Sequence, residues 1–152
     1  MITSIEKIIF LRQVQFFQHI LRDELSHIAS ISEEIQIQQG TTIFKAGDEG
    51  DALYLIMQGE VRVVAPDGRT IAVLIAPECF GEMAILDEDK RSATIIAETN
   101  CAFLKITRDD FRELILEQPA IAFELFQVLT TRLRQAIGQP VVPTLTESHE
   151  PR

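Results

Sequence analysis

The stretch FGEMAILDEDKRSA, residues 80–93, interrupts an otherwise regular succession of strand-like segments. It shows no alternation of apolar and polar residues, and it predicts a short helix from Glu82 to Leu86. On both sides of it, between residues 34 and 107, short runs of β-branched and aromatic residues are separated by Gly, Asp, Pro and Asn, which is typical of antiparallel strands. The sequence therefore predicts an all-β body with one helical insertion.

Seven strands are predicted from these runs, and their short lengths and close spacing favour a sandwich, barrel or jelly roll. They cover residues 35–38, 42–44, 53–58, 61–65, 70–74, 92–97 and 101–106. Glycine-containing turns separate several of them, because glycine supplies the positive φ that tight turns need.

Helices are predicted on both sides of the β body. Before it, apolar residues recur at helical spacing, with Ser4 as the expected N-cap of the first helix and Arg22 at the start of the second. After it, Thr107 is expected to cap one helix, and Pro119 is expected in the first turn of a longer one that ends near Ile137.

The chain accordingly divides into one domain, residues 1–138, and a flexible tail or linker, residues 139–152. Within the domain we assign the N-terminal helices, the β body and the C-terminal helices to residues 1–33, 34–106 and 107–137.

Composition narrows the class of protein. The 152 residues are 46% apolar and 24% charged, as expected for one globular domain. Fourteen Lys and Arg against 23 Asp and Glu give a net charge of −9, which disfavours DNA and anionic lipid because both require a basic face. No apolar run is long enough to span a bilayer, and no signal-peptide pattern opens the chain, so a cytoplasmic protein without membrane insertion is predicted.

The residue inventory disfavours an enzyme and a bound metal. His19, His27 and His149 all lie outside the predicted strands, so no metal site is expected inside the β body. No GxSxG elbow is present, and no histidine adjoins a candidate nucleophile. Cys79 and Cys101 lack CxxC spacing and are expected to be small buried hydrophobic residues. We therefore predict no catalysis, no metal and no cofactor.

The most specific pattern lies at the two ends of the insertion. Gly81 and Glu82 stand near its start, and Arg91 and Ser92 stand near its end. Glycine before a helix lets a ligand approach the backbone, and the helix N-terminus favours an anion. Arg91 presents a planar cation suited to a phosphate, and Glu82 can accept a hydrogen bond from a sugar hydroxyl. A ligand with both a phosphate and a ribose fits this pair of opposite charges. The competing interpretation is an ordinary salt bridge between Glu82 and Arg91.

With these residues the sequence resembles the cyclic nucleotide-binding domain family, which is shared by the catabolite activator protein, the regulatory subunits of cyclic-nucleotide-dependent kinases and cyclic-nucleotide-gated channels. The matching segments are GDEGD at 47–51, YLI at 54–56, GEV at 59–61, FGEMA at 80–84 and RSAT at 91–94. The resemblance implies a mainly β fold with flanking helices. This is an eight-stranded β-roll or jelly roll with N-terminal helices, a short cassette helix and a C-terminal helix pair. Residues 81–93 would form its phosphate-binding cassette.

The resemblance also implies roles for single residues. Arg91 would bind the cyclic phosphate and Glu82 the ribose 2′-hydroxyl, while backbone N–H groups near Ala84 and Ala93 and the Ser92 hydroxyl would complete the phosphate cradle. Val63 and Ile71, on strands facing the roll interior, would contact the base. The expected cyclic-nucleotide-binding residues are Gly81, Glu82, Met83, Ala84, Arg91, Ser92, Ala93, Val63 and Ile71.

The implied function is a regulatory or sensor module whose ligand is cAMP in preference to cGMP and whose C-terminal helix moves when the ligand binds. Ala136 and Ile137 stand where some relatives place a hydroxyl over the base, which leaves the choice between cAMP and cGMP open. The C-terminal helix is also a possible homodimer seam. The chain stops fifteen residues after Ile137, so no helix-turn-helix domain is expected.

The effector that such a module controls is not identified by the sequence. The module is either free-standing or excised from a larger transporter, kinase or other effector. The alternative interpretation is a degenerate β-roll that binds no nucleotide and serves as a protein interaction or dimerisation unit.

Overall fold

The computed structural model describes residues 2–86 and 90–138, without the side chains of Ala84 and Leu86. Within these residues eight antiparallel strands form two four-stranded sheets. The strands are β1 (Glu33–Ile37), β2 (Thr42–Phe44), β3 (Ala52–Gln58), β4 (Glu60–Val64), β5 (Thr70–Ile75), β6 (Cys79–Phe80), β7 (Thr94–Ala97) and β8 (Cys101–Thr107). The first sheet has the order β1-β8-β3-β6 and the second the order β2-β7-β4-β5.

Helices flank the strands as predicted. They are α1 (Ser4–Leu11), a 3₁₀ turn (Gln15–Phe17), α2 (Arg22–Ile31), α3 (Met83–Leu86), α4 (Arg108–Glu117) and α5 (Ala120–Ala136). The short α3 lies in the cassette, between β6 and β7. The predicted fold class, a mainly β roll with flanking helices, is confirmed. None of the described helices is both long and apolar enough to cross a membrane.

Two apolar cores result from the alternation of side chains along the central strands. On β3, Leu53 and Leu55 face the core that the flanking helices cover, whereas Ile56 faces the core between the two sheets. The aromatic side chains divide in the same way. Phe17 and Phe111 meet edge to face under the helices, while Tyr54 and Phe80 stack between the sheets with ring centroids 5.0 Å apart.

Several local predictions need correction. The strand β6 was not predicted, because a run of two residues is too short to show alternation. The N-cap of α1 is Thr3 and not Ser4. The Thr3 hydroxyl accepts a hydrogen bond from the Glu6 N–H at 3.1 Å, and the Glu6 carboxylate accepts one from the Thr3 N–H at 2.9 Å. This reciprocal capping box satisfies two backbone donors. With Ser4 as the N-cap the third helical residue would be Lys7, whose side chain cannot accept a hydrogen bond.

The C-terminal helices follow the prediction more closely. Thr107 caps α4 and accepts a hydrogen bond from the Asp110 N–H at 3.2 Å. Pro119 is the N-cap of α5 and therefore precedes its first turn. Beyond the end of α5, Gly138 has a φ of 81°, a conformation that glycine adopts without strain. The predicted tail, residues 139–152, lies outside the described residues.

Both cysteines are free and buried, as predicted. Burial raises the pKa of the Cys79 thiol to about 12, and the negative charge of Glu82 acts in the same direction.

Candidate functional site

A cavity of about 610 Å³ lies between the second sheet, the cassette and α5; we call it the site cavity. Its volume is in the range of cavities that bind small molecules and cofactors. Eight of the nine predicted site residues line it, namely Gly81, Glu82, Met83, Arg91, Ser92, Ala93, Val63 and Ile71. The ninth is Ala84, whose side chain lies outside the described part of the structure. The fold thus brings both ends of the cassette to one cavity.

Arg91 is buried at one side of this cavity, with 8% of the residue exposed. Its guanidinium carbon lies 3.9 Å from the centroid of the Phe44 ring, a cation–π contact. One terminal nitrogen donates to the Gly81 carbonyl at 3.3 Å and the other to the Ala52 carbonyl at 3.1 Å. The side chain is therefore fixed by an aromatic face and by neutral carbonyls.

The turn at residues 47–51 fixes the backbone of Arg91. The Arg91 N–H donates to the Asp48 carbonyl at 2.7 Å, and the Arg91 carbonyl accepts from the Gly47 N–H at 2.8 Å. From the sequence this segment was a predicted turn and one of the matches to the family pattern. The structure gives this turn a second role, because it positions the one arginine on which the binding prediction depends.

Two glycines give the Arg91 side chain its space. A Cβ on Gly50 would lie 2.6 Å from Arg91 Nε, and a Cβ on Gly81 would lie 2.8 Å from Arg91 Nη1. Gly81 also has a φ of 84°, which disfavours any residue with a side chain. Glycine is therefore required at both positions while Arg91 keeps this conformation.

Asp51 and Glu82 favour the charged form of Arg91 electrostatically, but neither lies within ion-pair distance of it. No described carboxylate forms an ion pair with it, and Arg91 Nε is buried without a hydrogen-bond partner. Burial lowers the pKa of Arg91, although a guanidinium remains protonated at any physiological pH. Because an unpaired buried charge is unfavourable, this arrangement suits a bound anion.

Glu82 is the second buried charge, with 7% of the residue exposed. Its Oε1 accepts a hydrogen bond from Arg132 Nη1 on α5 at 2.7 Å, and the other terminal nitrogen of Arg132 donates to the Cys79 carbonyl. The competing interpretation of a Glu82–Arg91 salt bridge is therefore wrong, since the described ion pair of Glu82 is with Arg132. The two opposite charges thus line one cavity without forming an ion pair with each other.

The other end of the cavity is apolar. Val63 is half-buried and lies opposite Ala72 in the β4–β5 ladder. The prediction that Ile71 faces the interior needs correction, because Ile71 borders the cavity but is 51% exposed, like its strand neighbours Val73 and Ile75. Alternation along β5 explains the difference, since it places Ile71 on the same face as the exposed Val73 and Ile75, and Ala72 on the face of the buried Leu74.

The carboxyl-terminal end of α5 borders the same cavity. Ala136, one of the two positions singled out from the sequence, lines it, whereas Ile137 does not and is 62% exposed. Gln135 also lines it, so this end of the helix offers the cavity an amide and not a hydroxyl. Among the described residues no group of His, Cys, Asp and Glu is arranged to hold a metal ion.

Comparison with known proteins identifies the family to which this fold and this cavity belong. The family model of the cyclic nucleotide-binding domain matches residues 34–118, which is more than half of the chain. The chain belongs to this family.

Three relatives place this cyclic nucleotide-binding domain more closely. It is 37% identical over 124 residues to the cyclic AMP receptor protein of Thermus thermophilus, covering 79% of this chain and 57% of the receptor. The crystal structure of the Thermus thermophilus catabolite activator protein superposes with a TM-score of 0.72 at 37% identity, covering 81% of this chain and 60% of that one. A cyclic nucleotide-binding domain from Methylobacillus flagellatus gives a TM-score of 0.75 at 28% identity, with coverage of 88% and 79%.

The chain thus spans a little over half the length of the first curated relatives it matches. The part that the family model matches, residues 34–118, contains the cassette.

Sequence reasoning missed Arg132 as a part of this cavity. A readable signal existed, since Arg132 follows the buried Leu125 by seven residues and the partly buried Val128 by four, and so falls on the inner face of α5. An arginine on an apolar helix face requires a partner, but the sequence does not say that the partner is Glu82, 50 residues earlier.

Proposed function

We propose that this cyclic nucleotide-binding domain binds cAMP in the site cavity and acts as a regulatory module. The observation that carries the proposal is Arg91, whose buried charge lacks a described carboxylate partner and whose Nε lacks any hydrogen-bond partner. A cyclic phosphate supplies the missing negative charge and acceptor oxygens. The names of two relatives, a cyclic AMP receptor protein and a catabolite activator protein, support cAMP as the ligand class.

The remaining residues of the cavity fit the other parts of this ligand. Glu82 accepts a hydrogen bond from the ribose 2′-hydroxyl, and the Ser92 hydroxyl with the backbone N–H near Ala93 adds donors to the phosphate. Val63 and Ala72 provide an apolar surface for a purine. The polar side of the cavity, formed by the cassette, thus suits the phosphate and ribose, and the apolar side, formed by β4 and β5, suits the base.

The coupling of ligand to output runs through α5. Arg132 on this helix and the ribose hydroxyl are both partners of Glu82, so a bound nucleotide changes the contact that joins α5 to the cassette. The nucleotide shifts the population of α5 conformations only by its difference in affinity for them. Movement of the C-terminal helix is therefore the proposed signal.

The exposed side of α5 is the proposed output surface. Phe123, Phe126 and Leu133 are 68%, 52% and 62% exposed on this helix. We assign them to a homodimer seam or to an effector, in a separate protein or elsewhere in a longer chain, and we place the protein in the cytoplasm, where cAMP is available.

Calorimetric titration of cAMP and of cGMP into the purified chain tests the proposal. We expect saturable binding of both, with cAMP the tighter ligand. Absence of binding by either nucleotide would favour the alternative of a degenerate roll that acts as an interaction unit. Light scattering with and without cAMP then measures whether the ligand changes the oligomeric state.

A further inference from the structure

Met83 combines accessibility with a place in the site cavity. The residue lines the cavity and is 52% exposed. Its sulfur accepts a hydrogen bond from the Ser92 hydroxyl, with Oγ and Sδ 3.6 Å apart. Ser92 is one of the proposed phosphate donors, so the Met83 sulfur and a bound phosphate use the same hydroxyl.

The other described sulfur atoms are better protected. Cys79 and Cys101 are both buried, and Met57 packs, partly buried, against the core under the helices. Met1 lies outside the described residues. Among the described residues Met83 is therefore the most exposed sulfur-containing residue, and we expect its thioether to be the first to react with a soluble oxidant.

We propose that Met83 is a redox-sensitive residue of the nucleotide site, oxidised by hydrogen peroxide to the sulfoxide, and that its oxidation and nucleotide binding oppose each other. This inference rests on the proposed function. In the reaction the thioether sulfur attacks one peroxide oxygen, the O–O bond breaks and an S–O bond forms. The second oxygen leaves as hydroxide and takes up the proton of the first, giving water. The sulfur loses two electrons and the peroxide gains them.

The product changes the chemistry of the phosphate end of the cavity. A sulfoxide oxygen is a far stronger hydrogen-bond acceptor than a thioether sulfur, and it carries partial negative charge. It therefore competes for the Ser92 hydroxyl and repels the phosphate. By thermodynamic linkage, a bound nucleotide must oppose formation of the sulfoxide to the same extent at equilibrium. A bound nucleotide also covers the cavity wall and slows the reaction.

The test treats the whole chain with hydrogen peroxide and measures two quantities. Peptide mass spectrometry gives the oxidised fractions of Met83 and Met57, and calorimetry gives the affinity for cAMP before and after treatment. We expect Met83 to oxidise faster than Met57, saturating cAMP to slow the oxidation of Met83 only, and the affinity to fall about tenfold, which corresponds to one hydrogen bond to a charged group.

Two variants show which methionine is responsible for the loss of cAMP affinity after peroxide treatment. Met83→Leu removes the oxidisable sulfur, and Met57→Leu is the matched control. Each is compared with itself before treatment, so a change in starting affinity does not enter the result. We expect peroxide to leave the affinity of Met83→Leu unchanged and to weaken binding by Met57→Leu as it does in the parent chain.

The outcomes separate this inference from the proposed function. If the untreated chain binds no nucleotide, the proposed function fails, and the coupling fails with it. If the untreated chain binds cAMP and a chain with fully oxidised Met83 binds it equally well, only the present inference is overturned. Faster oxidation of Met57 than of Met83 would overturn it as well.

Discussion

Arg132 on α5 donates a hydrogen bond to Glu82 at the start of the cassette, with Nη1 and Oε1 2.7 Å apart. The pair is largely enclosed, since the side chains are 24% and 9% exposed. The pair joins α5 to the cassette. The second terminal nitrogen of Arg132 also donates a hydrogen bond to the Cys79 carbonyl. A buried carboxylate thus has its charge partner on α5, the helix that we propose to move when the nucleotide binds.

The first prediction concerns this contact. Arg132→Ala leaves the buried Glu82 carboxylate without its described partner, so the free energy of unfolding should fall by about 1–3 kcal/mol. Arg134→Ala is the matched control, because Arg134 is an exposed arginine of the same helix and should change stability by less than about 0.5 kcal/mol. Urea denaturation followed by circular dichroism measures both. Equal free energies of unfolding for the two variants would show that the Arg132–Glu82 pair does not stabilise the fold.

The second prediction concerns the carboxylate itself. Glu82→Gln keeps an acceptor oxygen but loses the charge, so cAMP affinity should fall about three- to tenfold, as expected for one weakened hydrogen bond. The difference in affinity between the parent chain and the variant should shrink when 2′-deoxy-cAMP is titrated, because this ligand lacks the 2′-hydroxyl that Glu82 is proposed to bind. Glu60→Gln, at an exposed position of β4, should alter neither affinity. An equal loss with both nucleotides would contradict the assignment of Glu82 to the ribose.

The third prediction concerns the space around Arg91. A Cβ on Gly50 would lie 2.6 Å from Arg91 Nε, so Gly50→Ala should displace the guanidinium and weaken cAMP binding about tenfold, equal to 1.4 kcal/mol. Gly68 is the contrasting position, because a Cβ there meets nothing within 4 Å although its φ is 93°.

Gly68→Ala should therefore lower stability by about 1 kcal/mol through backbone strain while leaving the affinity for cAMP unchanged. Calorimetry and thermal unfolding of the two variants separate the effects. A normal affinity in Gly50→Ala would show that Arg91 has more room than the structure indicates.

The fourth prediction concerns the thiols. Burial raises the pKa of Cys79 to about 12, so almost no thiolate is present at pH 8, and Cys101 is buried as well. In the native protein neither cysteine should react with a disulfide reagent such as dithionitrobenzoate within minutes, whereas both should react in guanidinium chloride. Rapid release of chromophore from the native chain would contradict the burial of these side chains.

Local patterns explain what the sequence could predict. Gly81, Glu82 and Arg91 lie within eleven residues of one another, so one short segment predicted a site for a phosphate and a sugar, with a Glu82–Arg91 salt bridge as the alternative. The cavity brings them together as expected. Strands with several alternating residues and helices with capping residues were predicted for the same reason, since their signals are contained in short segments.

Other features depend on contacts that no short segment contains. The Arg132–Glu82 pair joins residues 50 positions apart, so the sequence showed a need for a partner but not the partner. Ala72 and not Ile71 lies on the inner face of β5, and the sequence does not show this because every residue from Ile71 to Ile75 is apolar. The two residues of β6 become a strand only because β3 pairs with them.

The most direct test of the binding proposal is the affinity of Arg91→Ala for cAMP. Each charge-assisted hydrogen bond that Arg91 makes to phosphate is worth about 1.5–3 kcal/mol, so calorimetry should show binding at least about tenfold weaker than in the parent chain. Arg91→Lys should lose much of the affinity too, because a lysine keeps the charge but not the planar donor geometry. Arg69 is the control position, because its side chain is 78% exposed and pairs with Asp67. Arg69→Ala should bind cAMP with the affinity of the parent chain. Equal affinities of the parent chain and a folded Arg91→Ala variant would contradict the assignment of this cavity to a cyclic nucleotide.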